Sequence, residues 1–184
     1  RQFKPESYYQ YEIGLEHKVF KLLTYRASVY QTEGSNLLQV DPVDNSLKNT
    51  GFVLFRGVEG GVDLKLFDLL TIGANASYTD PKDKTKNFSY LTGKSYVNFA
   101  LLDNRLEFKA EAEFAKDRFA ENEKKDKLDD YLIYNFSINY NTMISGIDSG
   151  FYVECDNITD TKYEVVKGYP AAGFLIKGGM IIKL

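Results

Sequence analysis

In the stretch Leu106-Glu107-Phe108-Lys109-Ala110-Glu111-Ala112-Glu113-Phe114, every second residue is apolar and each of the others carries a charge. Successive side chains of a strand point to opposite faces. One face of this strand is therefore hydrocarbon, and the other would bury several charges if it entered a dry core. A strand that is apolar outside and charged inside fits a barrel sitting in a lipid bilayer, where the outer face meets acyl chains and the inner face meets water.

The same period of two recurs along the chain and predicts about nine strands. Tyr9, Tyr11, Ile13 and Leu15 oppose Gln10, Glu12, Gly14, Glu16 and Lys18, and Leu23, Tyr25, Ala27 and Val29 oppose Thr24, Arg26, Ser28 and Tyr30. Val58, Val62, Leu64 and Leu66 oppose Glu59, Gly61, Asp63 and Lys65, and Leu70 to Tyr78 alternates in the same way. A shorter strand follows at Val97, Phe99 and Leu101, then the strand quoted above. Leu132 to Tyr140, Phe151 to Asp156 and Phe174 to Leu184 complete the set.

Short turns are expected at Phe20 to Lys21, Phe67 to Leu69 and Asp103 to Asn104, with a longer one at Asn141 to Ser149. Long polar loops are expected at Gly34 to Thr50, Asp80 to Lys94, Lys116 to Asp129 and Asn157 to Gly173. Outer-membrane barrels pair short periplasmic turns with long extracellular loops, so this alternation of lengths supports the membrane reading and orients the chain. Tyr9, Tyr11, Tyr78 and Phe114 then fall toward the outer rim, and Tyr25, Tyr140 and Phe151 toward the inner one.

Composition is compatible with this. The 184 residues are 43% hydrophobic and 27% charged, which excludes a disordered chain, and a net charge of -3 gives no basis for a nucleic-acid partner. No run reaches the roughly 18 apolar residues of a membrane helix, yet negative mean hydropathy is ordinary for a barrel whose strands are half polar. The 14 Tyr and 13 Phe suit interfacial girdles or a β-rich core. No basic region followed by an apolar stretch opens the chain at Arg1, so the leader of an exported protein would lie upstream.

Nine strands do not close an antiparallel barrel without a seam, because single-chain bacterial barrels use even numbers. Either one strand is miscounted or the chain is part of a larger barrel. The count of inward charges favours the larger barrel: Glu12, Glu16, Lys18, Glu59, Asp63, Lys65, Glu107, Lys109, Glu111 and Glu113 overfill a small bore, whereas a wide lumen with water or a plug accommodates them.

Particular segments resemble TonB-dependent outer-membrane receptors. Phe3-Lys4-Pro5-Glu6-Ser7 with Tyr11-Glu12-Ile13-Gly14 is similar to the entry of a late barrel strand, and Arg56-Gly57-Val58-Glu59 to a recurring Gly-Val-Glu strand. Asp156-Asn157-Ile158-Thr159-Asp160-Thr161-Lys162-Tyr163 resembles the segment before the final loop, and Gly168-Tyr169-Pro170-Ala171-Ala172-Gly173 the approach to the last strand. Phe174 stands where the family usually has Arg, and Leu184 ends the chain where Phe or Trp is usual. The resemblance covers the whole chain and implies an all-β, antiparallel up-and-down transmembrane barrel. Residues 1–184 would be its C-terminal part, without the N-terminal plug, in a wall of about 22 strands. It further implies the bacterial outer membrane as location, and the TonB complex, the barrel-assembly machinery and a small-molecule substrate as partners. The substrate classes implied are iron siderophores, haem or cobalamin, and the last segments look somewhat like the cobalamin receptors.

The residues offer no chemistry for catalysis, no cofactor cradle and no metal site. His17 has neither Cys nor a second His near it in sequence and is read as an interfacial histidine. In Glu121 to Asp130 interleaved lysines and the absence of EF-hand spacing argue against calcium. Gly57, Gly60 and Gly61 lack the Gly-Lys-Ser/Thr of a phosphate loop and are read as permitting a bend or a close approach of the plug. Cys155, the single cysteine, is read as a small buried or lipid-facing side chain. Glu107, Lys109, Glu111 and Glu113 are the candidates for a lumen-facing functional surface. Two rivals to a transporter are a self-contained small outer-membrane barrel and a soluble lipocalin-like carrier, and the second requires its apolar residues inside.

Overall fold

The computed structural model describes residues 3–40, 43–81, 88–120 and 127–183. These form β1 (Ser7–Val19), β2 (Leu23–Val40), β3 (Leu47–Leu66), β4 (Leu70–Pro81), β5 (Phe88–Leu101), β6 (Leu106–Phe119), β7 (Lys127–Leu128), β8 (Tyr131–Ile144), β9 (Ile147–Asp156), β10 (Glu164–Val166), β11 (Tyr169–Pro170) and β12 (Leu175–Lys183). The main sheet runs β1-β2-β3-β4-β5-β6-β8-β9-β12, every neighbour antiparallel, with β7 paired to the end of β6. It is an all-β, up-and-down meander with β1 and β12 as its edges.

Register aligns the alternating sets of neighbouring strands. One apolar row reads Leu23, Leu64, Ile72, Val97, Ala110, Phe136, Cys155 and Ile176 across eight strands, each residue opposite the next. The polar row beside it reads Lys18, Thr24, Asp63, Gly73, Tyr96, Glu111 and Asn135. A slip of one residue in any pair would exchange the faces, so the pattern and the ladder specify each other.

The apolar face does not converge on a sealed interior. Ile13 is 78% exposed, and among the described residues the buried hydrophobics are Ala115, Ala120, Leu128 and Ile133, gathered at the far ends of β6 and β8. A soluble carrier would hide its apolar rows; here they form the open side of the sheet, which removes the lipocalin-like reading. Cys155 is free and lies between Phe136 and Ile176 on that side.

Several expected boundaries move. The loop expected at Gly34 to Thr50 is mostly strand: β2 and β3 stay paired to Val40↔Leu47, with register shifts between Gly34 and Leu37 and between Leu37 and Leu38. Left-handed Asn36 (φ 57) makes the irregularity possible, and the Glu6 carboxylate accepts a hydrogen bond from the Leu38 amide at 2.8 Å. Asymmetry of length between the two ends remains, but this hairpin is a paired extension rather than an open loop. The turn expected over Asn141 to Ser149 contracts to Ser145-Gly146, because β8 and β9 continue to the pair Ile144↔Ile147. Residues 82–87, the 121–126 part of the mixed-charge run, and Leu184 lie outside the described residues.

Arginine placed at Phe108, Ala110 or Phe136 should cost about 2–4 kcal/mol of folding free energy in lipid vesicles if this face meets hydrocarbon. The same residue at Lys109 or Asn135 should cost little. Denaturant titration of the vesicle-folded protein measures both sets, and equal costs would invalidate the assignment of faces.

Candidate functional site

The polar face carries a chain of charged and phenolic groups that crosses five strands. Arg26 on β2 forms an ion pair with Asp63 on β3 at 2.8 Å. Tyr96 on β5 donates its phenol proton to the other oxygen of Asp63 at 2.7 Å. To do so it must cross β4, and it crosses at Gly73: a Cβ there would collide with both Asp63 Oδ1 and the Tyr96 ring. Gly57 is used in the same way, lying beneath the ring of Tyr30, whose hydroxyl pairs with Thr79. The space at Gly57, expected to admit the plug or a bend, is taken by the Tyr30 ring of the sheet itself.

All four candidate residues are on β6 and on the polar face. Lys109 Nζ is 2.8 Å from Glu111 Oε2 and stands 5.6 Å from the centroid of the Tyr96 ring. That oxygen is buried, and Lys109 is the cation beside it. Lys94 Nζ bridges Glu111 at 2.8 Å and Glu113 at 3.4 Å. Glu107 shares the face but joins none of these pairs; it sits between Ala100 and Asn139. A second cluster lies on β9 and β12, where Lys177 contacts Asp156 at 2.7 Å and Glu154 at 3.3 Å. Pairs as exposed as those of Lys177 contribute roughly 0–1 kcal/mol each. They therefore define a hydrated, charged wall more than they stabilise the sheet, and the backbone ladder holds the strands together.

A different arrangement, which period-two reading misses, closes the far end of β6 and β8. Strict alternation would put Arg118 on the apolar face. Asp117 is left-handed (φ 51), the alternation breaks, and the Arg118 guanidinium packs 4.8 Å over the ring of Tyr131. Arg118 is 3% exposed, donates to the Asp129 carbonyl at 2.7 Å and donates to the Glu164 carbonyl. The Tyr163 ring lies against that of Tyr131, tilted by 33°, with centroids 4.1 Å apart. Burial, followed by the nearby Glu113 carboxylate, holds the Tyr163 phenol above its usual range.

The segment from 157 to 174 is thereby tied down. Left-handed Asn157 (φ 48) turns the chain out of β9, and its amide N–H donates to Asn135 Oδ1 at 2.9 Å. Its side chain accepts from the Thr161 amide and donates to the Thr161 carbonyl, both at 2.9 Å. Asp160 Oδ1 receives Lys162 Nζ at 2.7 Å and the Phe174 amide at 2.9 Å. The Gly168 turn (φ 80) joins β10 to β11. What sequence reading treats as one polar loop is a compact, hydrogen-bonded unit, and the Asn157 to Tyr163 motif supplies its pivots.

His17 lies on the apolar face, its ring nitrogen 3.0 Å from the Tyr25 hydroxyl. At the long-loop end, Phe55, Phe88, Tyr90, Phe119 and Tyr78 form successive ring contacts of 5.6–6.3 Å. Only Tyr78 of this group is among the aromatics assigned to a rim from sequence.

A nine-strand meander with one apolar open face, one charged face and unequal connections is the wall of a membrane β-barrel. The family model described as TonB dependent receptor-like, beta-barrel matches residues 1–158, and the chain belongs to that family of outer-membrane transport receptors. Solved structures agree in fold. The FrpB iron transporter from Neisseria meningitidis matches with a TM-score of 0.73 at 13% identity, covering 96% of this chain and 30% of that one. BauA, the ferric preacinetobactin receptor from Acinetobacter baumannii, gives 0.72 at 15%, covering 98% and 29%. The copper transporter OprC gives 0.70 at 15%, covering 97% and 32%. The chain thus spans about a third of the length of these relatives. No curated protein matches it in sequence.

Gly73→Ala should destabilise the folded sheet by displacing Tyr96 from Asp63, and the same change in a Tyr96→Ala background should cost markedly less. A double-mutant cycle measures the coupling, and additive costs would remove the bridging role of Gly73. For the tied segment, the Lys162 ammonium and then the Phe174 amide hold the Asp160 carboxyl below the usual carboxylate range. A depressed value stabilises above the unfolded value of about 3.9 and is lost as pH falls through the folded one. The protection of the Phe174 amide, the slowing of its exchange relative to an unstructured amide at the same pH, should therefore fall on acidification below about pH 4, and Asp160→Ala should remove it at every pH.

Proposed function

We propose that this chain is the C-terminal part of the barrel of a receptor that takes up a scarce, metal-bearing nutrient across the bacterial outer membrane, driven by the TonB complex. The family match over residues 1–158, on a sheet whose two faces suit two different solvents, carries this reading. The edges β1 and β12 would be completed by strands from the rest of a barrel of about 22 strands. The plug that couples ligand binding to TonB would lie in that remainder. The barrel-assembly machinery would insert the whole.

On this reading Glu107, Lys109, Glu111 and Glu113 face the lumen, where they meet the plug, water or the passing substrate. Among the similar structures are an iron transporter, a ferric preacinetobactin receptor, a ferric citrate transporter and a copper transporter. That favours a metal complex as substrate here, with a ferric siderophore ahead of haem or cobalamin.

Uptake of radiolabelled ferric siderophores, haem, cobalamin and copper by cells expressing the full-length receptor tests the proposal. One labelled metal complex should accumulate in the periplasm, and accumulation should stop when TonB is deleted or the proton gradient is collapsed. Uptake that persists without TonB, or a receptor that moves none of these, would defeat it.

A further inference from the structure

Four short connections join strands at one end of the sheet, and all are built on left-handed residues: Phe20 and Lys21 (φ 49 and 58), Phe67 and Asp68 (55 and 56), Leu102 to Asn104 (53 to 64), and Ser145 and Gly146 (52 and 83). The Leu22 amide donates to the Val19 carbonyl at 2.9 Å and the Leu69 amide to the Leu66 carbonyl at 3.1 Å. Phe20 and Phe67 are therefore each the first central residue of a turn with two left-handed positions, as a type I′ turn requires. Such a turn favours Asn, Asp or Gly there, and an L side chain in this conformation is strained.

Geometry does not demand phenylalanine. The same chain makes equivalent reversals at the same end with Asp103-Asn104 and Ser145-Gly146, which are favoured turn residues. Packing does not demand it either, because Phe20 is 94% and Phe67 92% exposed. Each ring is followed two positions later by a partly exposed leucine, Leu22 or Leu69, and Leu102 is exposed at the third reversal. Strain and open apolar surface occur at the same residues, twice in the same arrangement, and neither is favourable in water.

The end of the apolar band shows what surrounds them. The last apolar-face pairs before the turns are Val19↔Leu23, Leu66↔Leu70 and Leu101↔Leu106. The apolar rows of this face thus continue to the turns themselves, and the tips stand about one strand residue, or ~3.3 Å, beyond them. Between the apolar tips lie charges: Lys21, Asp103, and Asp68 paired with Lys65 at 2.6 Å. Rings interleaved with charged side chains at this height match the headgroup layer of a bilayer, where aromatic residues concentrate and long cationic chains reach outward.

We propose that Phe20 and Phe67, with Leu22, Leu69 and Leu102, form a row of interfacial anchors that insert into the phospholipid headgroups of the periplasmic leaflet and set the height of this part of the wall. The inference rests on the membrane-barrel reading and its orientation, but not on the substrate. To test it, p-benzoylphenylalanine is placed at Phe20, Phe67 and, as a polar-face control, Lys109 in the full-length receptor in outer membranes. The probe keeps the phenylalanine frame at the two tips, and heat-modifiable migration reports that the barrel has folded. After irradiation, mass spectrometry should find phospholipid adducts at positions 20 and 67 in at least several-fold excess over position 109. Adducts to a periplasmic protein, or lipid adducts no more abundant than at position 109, would overturn the proposal, and neither result depends on whether the receptor transports a metal complex.

Discussion

Strand register is the constraint from which the rest of this structure follows. Every backbone group of a strand inside a bilayer must find its partner on a neighbouring strand, since hydrocarbon offers none. Once β1 to β12 are paired, the pleat leaves no freedom in where a side chain points: Phe108 goes to one solvent and Lys109 to the other. The charged wall and the open apolar face are two consequences of one ladder. Exposed ion pairs such as Lys177 with Glu154 and Asp156 are tolerable on this account, because the sheet does not rely on them.

Glycine and tyrosine give the polar wall its cross-strand continuity. Tyr96 joins β5 to β3 only because Gly73 leaves space over β4. Together with Arg26, Asp63, Lys109, Glu111 and Lys94 this makes a nearly continuous polar track rather than scattered charges. At the long-connection end the character changes. Arg118 and Asn157, both 3% exposed, fasten the last connection to the wall, through the Glu164 carbonyl and the Asn135 side chain, beside the Tyr131–Tyr163 ring contact. The molecule is thus loosely bonded along its polar face and tightly bonded at the long-connection end of the sheet.

Much of this is legible in the sequence because period two is a direct record of which solvent each residue meets. The strands from Tyr9 to Lys18, Leu70 to Tyr78 and Leu106 to Phe114 are readable with their faces, and so is the sorting of short and long connections. Reading fails where alternation fails. Gly34 to Thr50 looks like a loop because bulges and left-handed Asn36 interrupt its pattern, although the pairing continues. Arg118 falls in a stretch that looks like loop, and counting through left-handed Asp117 would put it on the wrong face. Tyr96 draws no notice in the sequence because its partner is two strands away, a relation that only register reveals. The physical role of Asn157 to Tyr163, a set of pivots for the last connection, is visible only in three dimensions.

The measurement that bears most directly on the account is a spin-label scan of residues 106 to 114 in the full-length receptor in lipid vesicles, comparing collisions with oxygen, which dissolves in hydrocarbon, and with a water-soluble nickel chelate. The account predicts a period of two, with oxygen maxima at 106, 108, 110, 112 and 114 and nickel maxima at 107, 109, 111 and 113. A flat profile, or the same period with the phases exchanged, would contradict it.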